Sequence, residues 1–237
     1  MKKKYFVLLA VFLLVFSASV FSQDFVEKEK PKPWSGIFET SWVYNHVYHG
    51  LNFLRHNEDI WMIGLRMADP SGAFSSNAYT ASTDDYSEYG AEITITGKFF
   101  SLTVYPLTWK SYEVADSGII LGASLFKSIE KKSDVKVGFL GALVSKAKEL
   151  NGTYYYMVLC LKDLILGINL ELEGGMNKHF FAPGADGPVG SIKLFKQLNF
   201  TEYLGLSVYA QKYFISDKRI NPYNELSAGA CLSIKLF

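Results

Sequence analysis

Ser76 and Asn77, in the segment Phe-Ser-Ser-Asn at 74–77, are the residues of this 237-residue chain that come nearest to a catalytic pattern. In the pattern His-x-Ser-Asn, a histidine two residues before the serine takes the proton from its hydroxyl and makes it a nucleophile. Phe74 stands at the histidine position here. Because a hydroxyl without a base is not activated, the segment predicts ordinary strand residues. We therefore predict that the protein is not an enzyme.

The histidines and cysteines give no sign of a metal site. His46 and His49 are three residues apart, so on a strand their side chains point to opposite faces and cannot share a metal ion. The two cysteines, Cys160 and Cys231, lie far apart inside apolar stretches, where free thiols are expected rather than a disulfide. No CxxC pair and no zinc spacing occur. The sequence thus predicts neither a metal nor a cofactor.

The amino terminus has the pattern of a secretory signal peptide. Lysines at 2–4 precede an apolar run from Tyr5 to Phe16, and small residues follow at 17–19 and at Ser22. The alternative is a membrane anchor, but a dozen apolar residues fall short of the roughly 20 that span a bilayer. We predict a cleaved signal peptide at 1–22 and a charged, proline-bearing periplasmic lead segment at 23–35.

Composition favours β structure and gives no electrostatic reason to expect nucleic acid. The formal net charge is +1, so we predict no nucleic-acid partner. Aromatic residues make up 16% of the chain, and 19 glycines outnumber 7 prolines, a profile typical of strands and tight turns. Outside the signal peptide no stretch is long and apolar enough for a transmembrane helix. A membrane-spanning part must therefore consist of strands.

Period-two alternation is the clearest structural signal in the chain. In the segment 164–173, aliphatic residues alternate with glycine, asparagine and glutamate, and the segment 89–96 alternates in the same way. A soluble β-sandwich also alternates. Three features favour a membrane barrel instead: strands of about ten residues, as tilted spanning strands need, polar faces rich in Gly, Ser, Thr and Tyr, and the signal peptide.

Turn signals divide residues 36–237 into about twelve strands, an even number as single-chain bacterial barrels require. The strand at 72–81 has a poor apolar face, and without it the parity fails. Connections are predicted to alternate between short turns, including one at Lys162–Asp163, and longer polar loops, including 112–117 and the region 174–189. The segment 182–190 either folds over the mouth of the barrel or is an ordinary flexible loop. The fold class is thus predicted as all-β, an antiparallel up-and-down transmembrane β-barrel. The predicted strands lie near 36–50, 58–68, 72–81, 86–97, 99–109, 117–128, 134–144, 152–162, 164–174, 188–197, 202–213 and 226–237.

The chain ends on the strand-like segment CLSIKLF, at 231–237, with a terminal aromatic residue. A last strand that pairs with the first strand would close the barrel. A terminal Phe237 resembles the signal by which outer-membrane barrels are recognised for assembly, so we predict the barrel assembly machinery as a partner through this strand.

The segments WVYNHVYHG at 42–50 and PSGAFSSNAYTASTDDYSEYGAEITITG at 70–97 resemble the TorF-type putative porins and related small outer-membrane barrels. In those proteins an aromatic opening strand before a glycine is followed by a small-and-aromatic hairpin whose return strand alternates acidic and apolar residues. Trp42, Tyr44, Gly50, Glu88 and Glu92 stand where that pattern has them. The resemblance covers the first third of the mature chain. It implies a pore-like barrel without an active site.

The polar faces of the predicted strands supply the candidate site. We predict a narrow porin or channel for small solutes or ions in the bacterial outer membrane, surrounded by outer-membrane lipid. Twelve strands leave less room than the 16–18 of general porins. The alternative is a structural or adhesive barrel with a plugged lumen and its function in the external loops. The predicted lumen-lining residues are Arg66, Glu88, Glu92, Lys136, Asn169, Glu171, Glu173 and Lys193.

Overall fold

The computed structural model describes residues 33–48, 51–52, 58–111, 114–130 and 132–237. The predicted signal peptide at 1–22 and most of the predicted lead segment lie outside the described residues.

Twelve antiparallel strands form one closed barrel in which each strand pairs with its neighbours along the chain. The count and the closure confirm the predicted fold class. The strand at 72–81, on which the even number depended, is present as β5. A small separate hairpin, β2 with β3, lies between the first two barrel strands. The barrel strands are β1 (Ser35–Tyr44), β4 (Asp59–Ala68), β5 (Phe74–Ser82), β6 (Tyr86–Thr96), β7 (Phe100–Ser111), β8 (Val114–Glu130), β9 (Ser133–Val144), β10 (Gly152–Ile165), β11 (Ile168–Lys178), β12 (Asp186–Asn199), β13 (Leu204–Ile215) and β14 (Leu226–Lys235); β2 is Val47–Tyr48, β3 is Leu51–Asn52, and one 3₁₀ turn spans Lys148–Leu150.

The last strand closes the barrel against the first, as the terminal segment predicted. The ladder between β1 and β14 runs from Ile37 opposite Lys235 to Tyr44 opposite Ala228. Two further backbone bonds extend it, from Leu236 N–H to Gly36 O at 2.8 Å and from Gly36 N–H to Phe237 O at 3.3 Å. Closure leaves no unpaired strand edge, which is what a sheet inside a bilayer needs.

The outer surface of the barrel is an apolar belt. On most strands, large hydrophobic side chains point outward; on β7, Phe100, Leu102 and Val104 are exposed, while Ser101 is buried on the inner face. An apolar surface of this extent around a closed barrel is stable in lipid and not in water. No helix among the described residues is long and apolar enough to cross a membrane.

The two ends of the barrel differ. At one end, here called the turn end, the connections after β4, β6, β8, β10 and β12 are short and both termini of the barrel emerge. At the other end, called the loop end, lie the longer connections at 45–58, 145–151, 179–185 and 216–225. Short turns face the periplasm and long loops face outward in outer-membrane barrels, which orients the molecule.

Three predicted boundaries are wrong, each for a local reason. The first strand ends at Tyr44 rather than at residue 50, because Asn45 adopts the left-handed conformation (φ 48°). The predicted loop at 112–117 is mostly strand, since the ladder between β7 and β8 continues to Ser111 opposite Val114. The region 174–189 is likewise shortened to a loop at 179–185, because β11 and β12 extend into it.

The turn predicted at Lys162–Asp163 is also wrong. Asp163 does have the left-handed backbone of a turn residue (φ 53°), but it lies where the register shifts between Leu161 and Ile165, which makes it part of a bulge. The chain reverses at Leu166 and Gly167, both with positive φ, as a two-residue hairpin turn requires. The segment 164–166 therefore belongs to β10 and its turn, and β11 begins at Ile168.

Candidate functional site

The lumen is divided into two regions of opposite polarity. Near the loop end, an apolar cluster fills the inside of the barrel; it is called the dry half below. Side chains from six strands and two loops meet there with at most 9% exposure. The buried members are Leu107, Ile120, Leu140, Ala142, Tyr154, Tyr156, Phe180, Ala182, Ala185, Val189, Tyr213, Ile215 and Ile220.

A row of aromatic rings crosses the dry half from wall to wall. Trp109 of β7 meets Phe181 edge-on at 5.9 Å between ring centroids, and Phe181 meets Phe180 at 5.0 Å. Phe180 contacts Tyr154 of β10 at 6.2 Å, and Tyr154 stacks on Tyr156 at 6.1 Å. The two phenylalanines come from the loop at 179–185, which folds into the barrel. We call residues 179–185 the plug.

Below the plug lies a cavity of about 500 Å³, lined by charged, polar and apolar side chains, in the region called the wet half. Phe181 lines it together with residues of β1 and of β4 to β11. Glu92 and Lys136 on the cavity wall are exposed, as is Arg66 at this level of the inner face, so water reaches the cavity. The charged residues that line the cavity are Glu39, Glu88, Glu92, Lys136, Glu171 and Glu173.

Glu88 is the most buried of these carboxylates, at 4% exposure. Three tyrosine hydroxyls donate to it: Tyr105 at 3.0 Å, and Tyr79 and Tyr86 at shorter range. His46, in the bend after β1, lines the same cavity. Burial lowers the pKa of His46, and the negative charge of Glu88 opposes that shift only in part. His46 is therefore uncharged at neutral pH.

The other carboxylates of the cavity are held by different partners. Glu39 receives a hydrogen bond from the guanidinium of Arg66 at 2.6 Å. Glu173 accepts a hydrogen bond from the Tyr154 hydroxyl at 2.7 Å. Glu171 lies directly across the ladder from Lys193. Two cations beside the cavity thus offset part of its negative charge.

Five of the eight predicted lumen residues line this one cavity: Glu88, Glu92, Lys136, Glu171 and Glu173. The other three lie elsewhere on the inner face. Arg66 holds Glu39, and the ammonium of Lys193 lies 5.2 Å from the ring centroid of Tyr209. Asn169 is near the turn end, where its side-chain oxygen accepts a hydrogen bond from the Asp163 N–H at 3.0 Å.

Sequence reasoning missed Glu39, His46 and Phe181. Glu39 could have been found, because it alternates in β1 with the outward-facing Phe38 and Thr40. Phe181 gave no such signal: an aromatic residue in a Gly- and Pro-containing loop does not reveal by its spacing whether the loop folds inward.

The structure gives the Ser76 segment no catalytic setting. Ser76 and Phe74 share the outward face of β5, on the opposite side from Asn77, which lines the cavity. Ser76 pairs across the sheet with Met67 and Ile93, neither of which can take a proton. Among the residues that the structure describes, no three His, Cys, Asp or Glu side chains come together to hold a metal ion.

The comparisons with known proteins agree in architecture. No protein-family model matches the chain, and no curated protein matches it in sequence. Among solved structures, the KdgM porin in complex with disordered oligogalacturonate is 6% identical, with 85% of this chain and 99% of that chain covered and a TM-score of 0.56.

Two further structures are similar to the same extent. An outer membrane channel from Pseudomonas putida F1 is 9% identical, with 90% of this chain and 99% of that one covered and a TM-score of 0.51. LpxR from Salmonella typhimurium is 8% identical, with 84% and 99% covered and a TM-score of 0.55. At such identities the similarity shows the fold alone. None of these structures supports the specific resemblance to TorF-type porins. The chain folds as a small β-barrel with the architecture of these solved structures, and its apolar belt indicates that the barrel spans a membrane.

Proposed function

We propose that this protein is a narrow channel for small solutes or ions, and that it favours cations. The observation that carries the proposal is the water-accessible cavity of about 500 Å³, in which five glutamates face one lysine. The named porin and channel with the same barrel fold support the assignment. Ser76 faces outward between Met67 and Ile93, so this segment gives no support to a catalytic alternative.

The charge distribution explains the preference for cations. Beside the cavity, Arg66 is paired with Glu39, and Lys193 lies opposite Glu171 in the ladder between β11 and β12. Glu92 and Glu173 have hydroxyl partners, Thr94 at 3.1 Å and Tyr154 at 2.7 Å, which leave their charge intact. A confined passage with excess negative charge concentrates cations and repels anions.

The same proposal includes two partners that follow from the exterior of the barrel. Outer-membrane lipid covers the apolar belt. The barrel assembly machinery recognises β14, the strand that closes the barrel against β1.

Ion selectivity in planar bilayers tests the proposal. Glu92, Glu171 and Glu173 are changed together to Gln, which keeps the side-chain volume and removes the charge. Glu88 is left unchanged because three tyrosine hydroxyls donate hydrogen bonds to it. Glu39 is left unchanged because Arg66 would otherwise lose its carboxylate partner. We expect the reversal potential in a salt gradient to move toward that of a non-selective pore. Glu149→Gln, on an exposed loop outside the barrel, is the matched control and leaves the potential unchanged.

The apolar cluster in the dry half favours a second candidate, a structural or adhesive barrel whose lumen is closed. The two candidates predict different currents. The decisive result is that both the folded wild-type protein and a variant without the plug insert into bilayers but carry no current. In that case the channel proposal is wrong and the closed barrel is the better description.

A further inference from the structure

We infer that the plug, residues 179–185, is the barrier of the channel, and that Phe181 is the residue that decides which solutes pass between the cavity and the outside. The inference rests on the proposed channel function. It goes beyond it by naming the segment that must move.

The position of Phe181 is the first step. Its ring forms part of the cavity wall, and on its other side it meets Phe180, which has no exposed surface. Phe181 therefore lies at the boundary between the wet half and the dry half. A hydrated ion that leaves the cavity toward the loop end meets apolar side chains at this point, and such a constriction blocks ions because they cannot shed their water there.

The second step is that the plug is held together by hydrogen bonds of its own, while a β-bridge between His179 and Thr153 joins its base to β10 of the wall. It folds on itself through backbone bonds from His179 N–H to Ala185 O at 3.0 Å, Ala182 N–H to His179 O at 3.2 Å and Ala185 N–H to Ala182 O at 3.1 Å. The Gly184 N–H also donates to Nδ1 of His179 at 3.1 Å. These bonds are internal to the plug, so they persist when the plug moves as a unit.

The third step concerns how the plug is held in place. The side chain of Asn177, at the end of β11, donates to the Phe180 carbonyl at 3.1 Å and accepts from the Phe180 N–H at 3.0 Å. The Phe181 N–H donates to Leu150 O of the neighbouring loop at 3.0 Å. Asn177 is itself fully buried, so it clamps the base of the plug.

The fourth step is the backbone of the plug. His179 (φ 58°) and Phe181 (φ 51°) both adopt the left-handed conformation that disfavours residues with a side chain. Strain of this kind is retained where the surroundings impose it, and it is typical of clamps and switch segments. Outward movement of the plug as a unit would open a route above the cavity.

Single-channel recording tests the inference with two variants. Phe181→Ala removes the ring at the cavity roof, and a second variant replaces residues 179–185 by a Gly/Ser linker of equal length. We expect both to conduct severalfold more than the wild type and to admit larger organic cations, with the linker variant showing the larger increase. Phe99→Ala, an exposed aromatic at the turn end, is the control and leaves conductance unchanged. Heat-modifiable migration on gels verifies that each variant is folded.

The outcomes separate the two proposals. If wild type, Phe181→Ala and the linker variant conduct equally, the plug is not the barrier, while the channel function stands. If none of the folded proteins conducts, the channel function itself is wrong. A larger conductance in the two plug variants alone supports the plug as the barrier.

Discussion

The dry half and the wet half of the lumen are built on the same strands, yet they have opposite interiors. On the inner face of β12, Val189 is buried at 2% exposure, whereas Gln197, eight residues along the same face, is exposed. The outward face shows no such change, since Ile192 and Leu194 between them are exposed apolar residues. The outward face is apolar at these central positions, and the inner face changes with depth.

This difference shows that the residue types on the two faces are determined by different surroundings. The outward face meets lipid along its whole length, so period-two alternation alone determines it. The inner face meets whatever fills the lumen at that depth: Phe180 and Ala182 of the plug in one half, and water in the other. An inner residue is therefore apolar or polar according to a segment far away in the sequence.

A buried carboxylate gives the largest expected difference between the halves. Val189→Asp places a charge in the apolar cluster without a partner, and we expect a loss of about 3–5 kcal/mol in the free energy of unfolding. Gln197→Asp, on the same face of the same strand, adds the same charge in water and costs less than about 0.5 kcal/mol. Urea unfolding in detergent micelles measures both. Equal losses would show that the dry half is hydrated.

The second comparison is between the inside and the outside of the wall. Val104 and Thr103 are neighbours on β7; Val104 is exposed on the apolar belt, and Thr103 lines the cavity. We expect Val104→Arg to destabilise the barrel by about 2–4 kcal/mol, because a cation near the bilayer midplane is costly. Thr103→Arg is the control with the same side chain in water, and its cost is smaller. The measurement is unfolding of the protein from lipid vesicles, and similar values for the two variants would contradict the assignment of the faces.

These two faces explain how much of the molecule could be predicted from the sequence. Alternation in the segments 89–96 and 168–173 determines which residues face lipid, so the inward direction of Glu92 and Glu171 could be predicted from local pattern. The strand number and the barrel followed from the turn signals between such segments. The turn at Leu166–Gly167 could not be predicted in this way. Asp163 carries an equally good turn signal, and whether the chain forms a bulge or reverses there depends on the partner strand.

The site was predicted only in part for a related reason. The phase of each glutamate is local, but the depth at which it lies and the neighbours that it meets are tertiary. Glu88 has three tyrosine partners, one on its own strand and one on each of the neighbouring strands β5 and β7, and the register of these hairpins brings them together. The inward fold of the plug has no local signature, so the division of the lumen into two halves was not predicted.

The boundary between the halves gives a smaller effect. Gly175 of β11 lies against the ring of Tyr154, and an added Cβ would overlap the hydroxyl that donates to Glu173. We expect Gly175→Ala to cost about 1–3 kcal/mol, because Tyr154 must shift out of the aromatic row. Gly174→Ala is a close control, since a Cβ there has nothing within 4 Å. Thermal unfolding of the two variants checks this, and a Gly175→Ala protein as stable as Gly174→Ala would show that Tyr154 is free to move.

The rim at the loop end, outside both halves, gives the smallest effect. Hydrogen bonds from Arg219 lower the pKa of Asp217 from 3.8 to about 2. Because the folded-state pKa lies below the unfolded value, the stability from this pair is fully present above about pH 4 and is lost as the pH falls toward 2. The pair is on the surface, so its contribution is small. Asp217→Asn should therefore lower the unfolding midpoint slightly at pH 6, and the difference from wild type should vanish near pH 2. Conductance should be unaffected at pH 6, because Asp217 does not line the cavity. A difference in stability that grows as the pH falls would contradict the assigned pair.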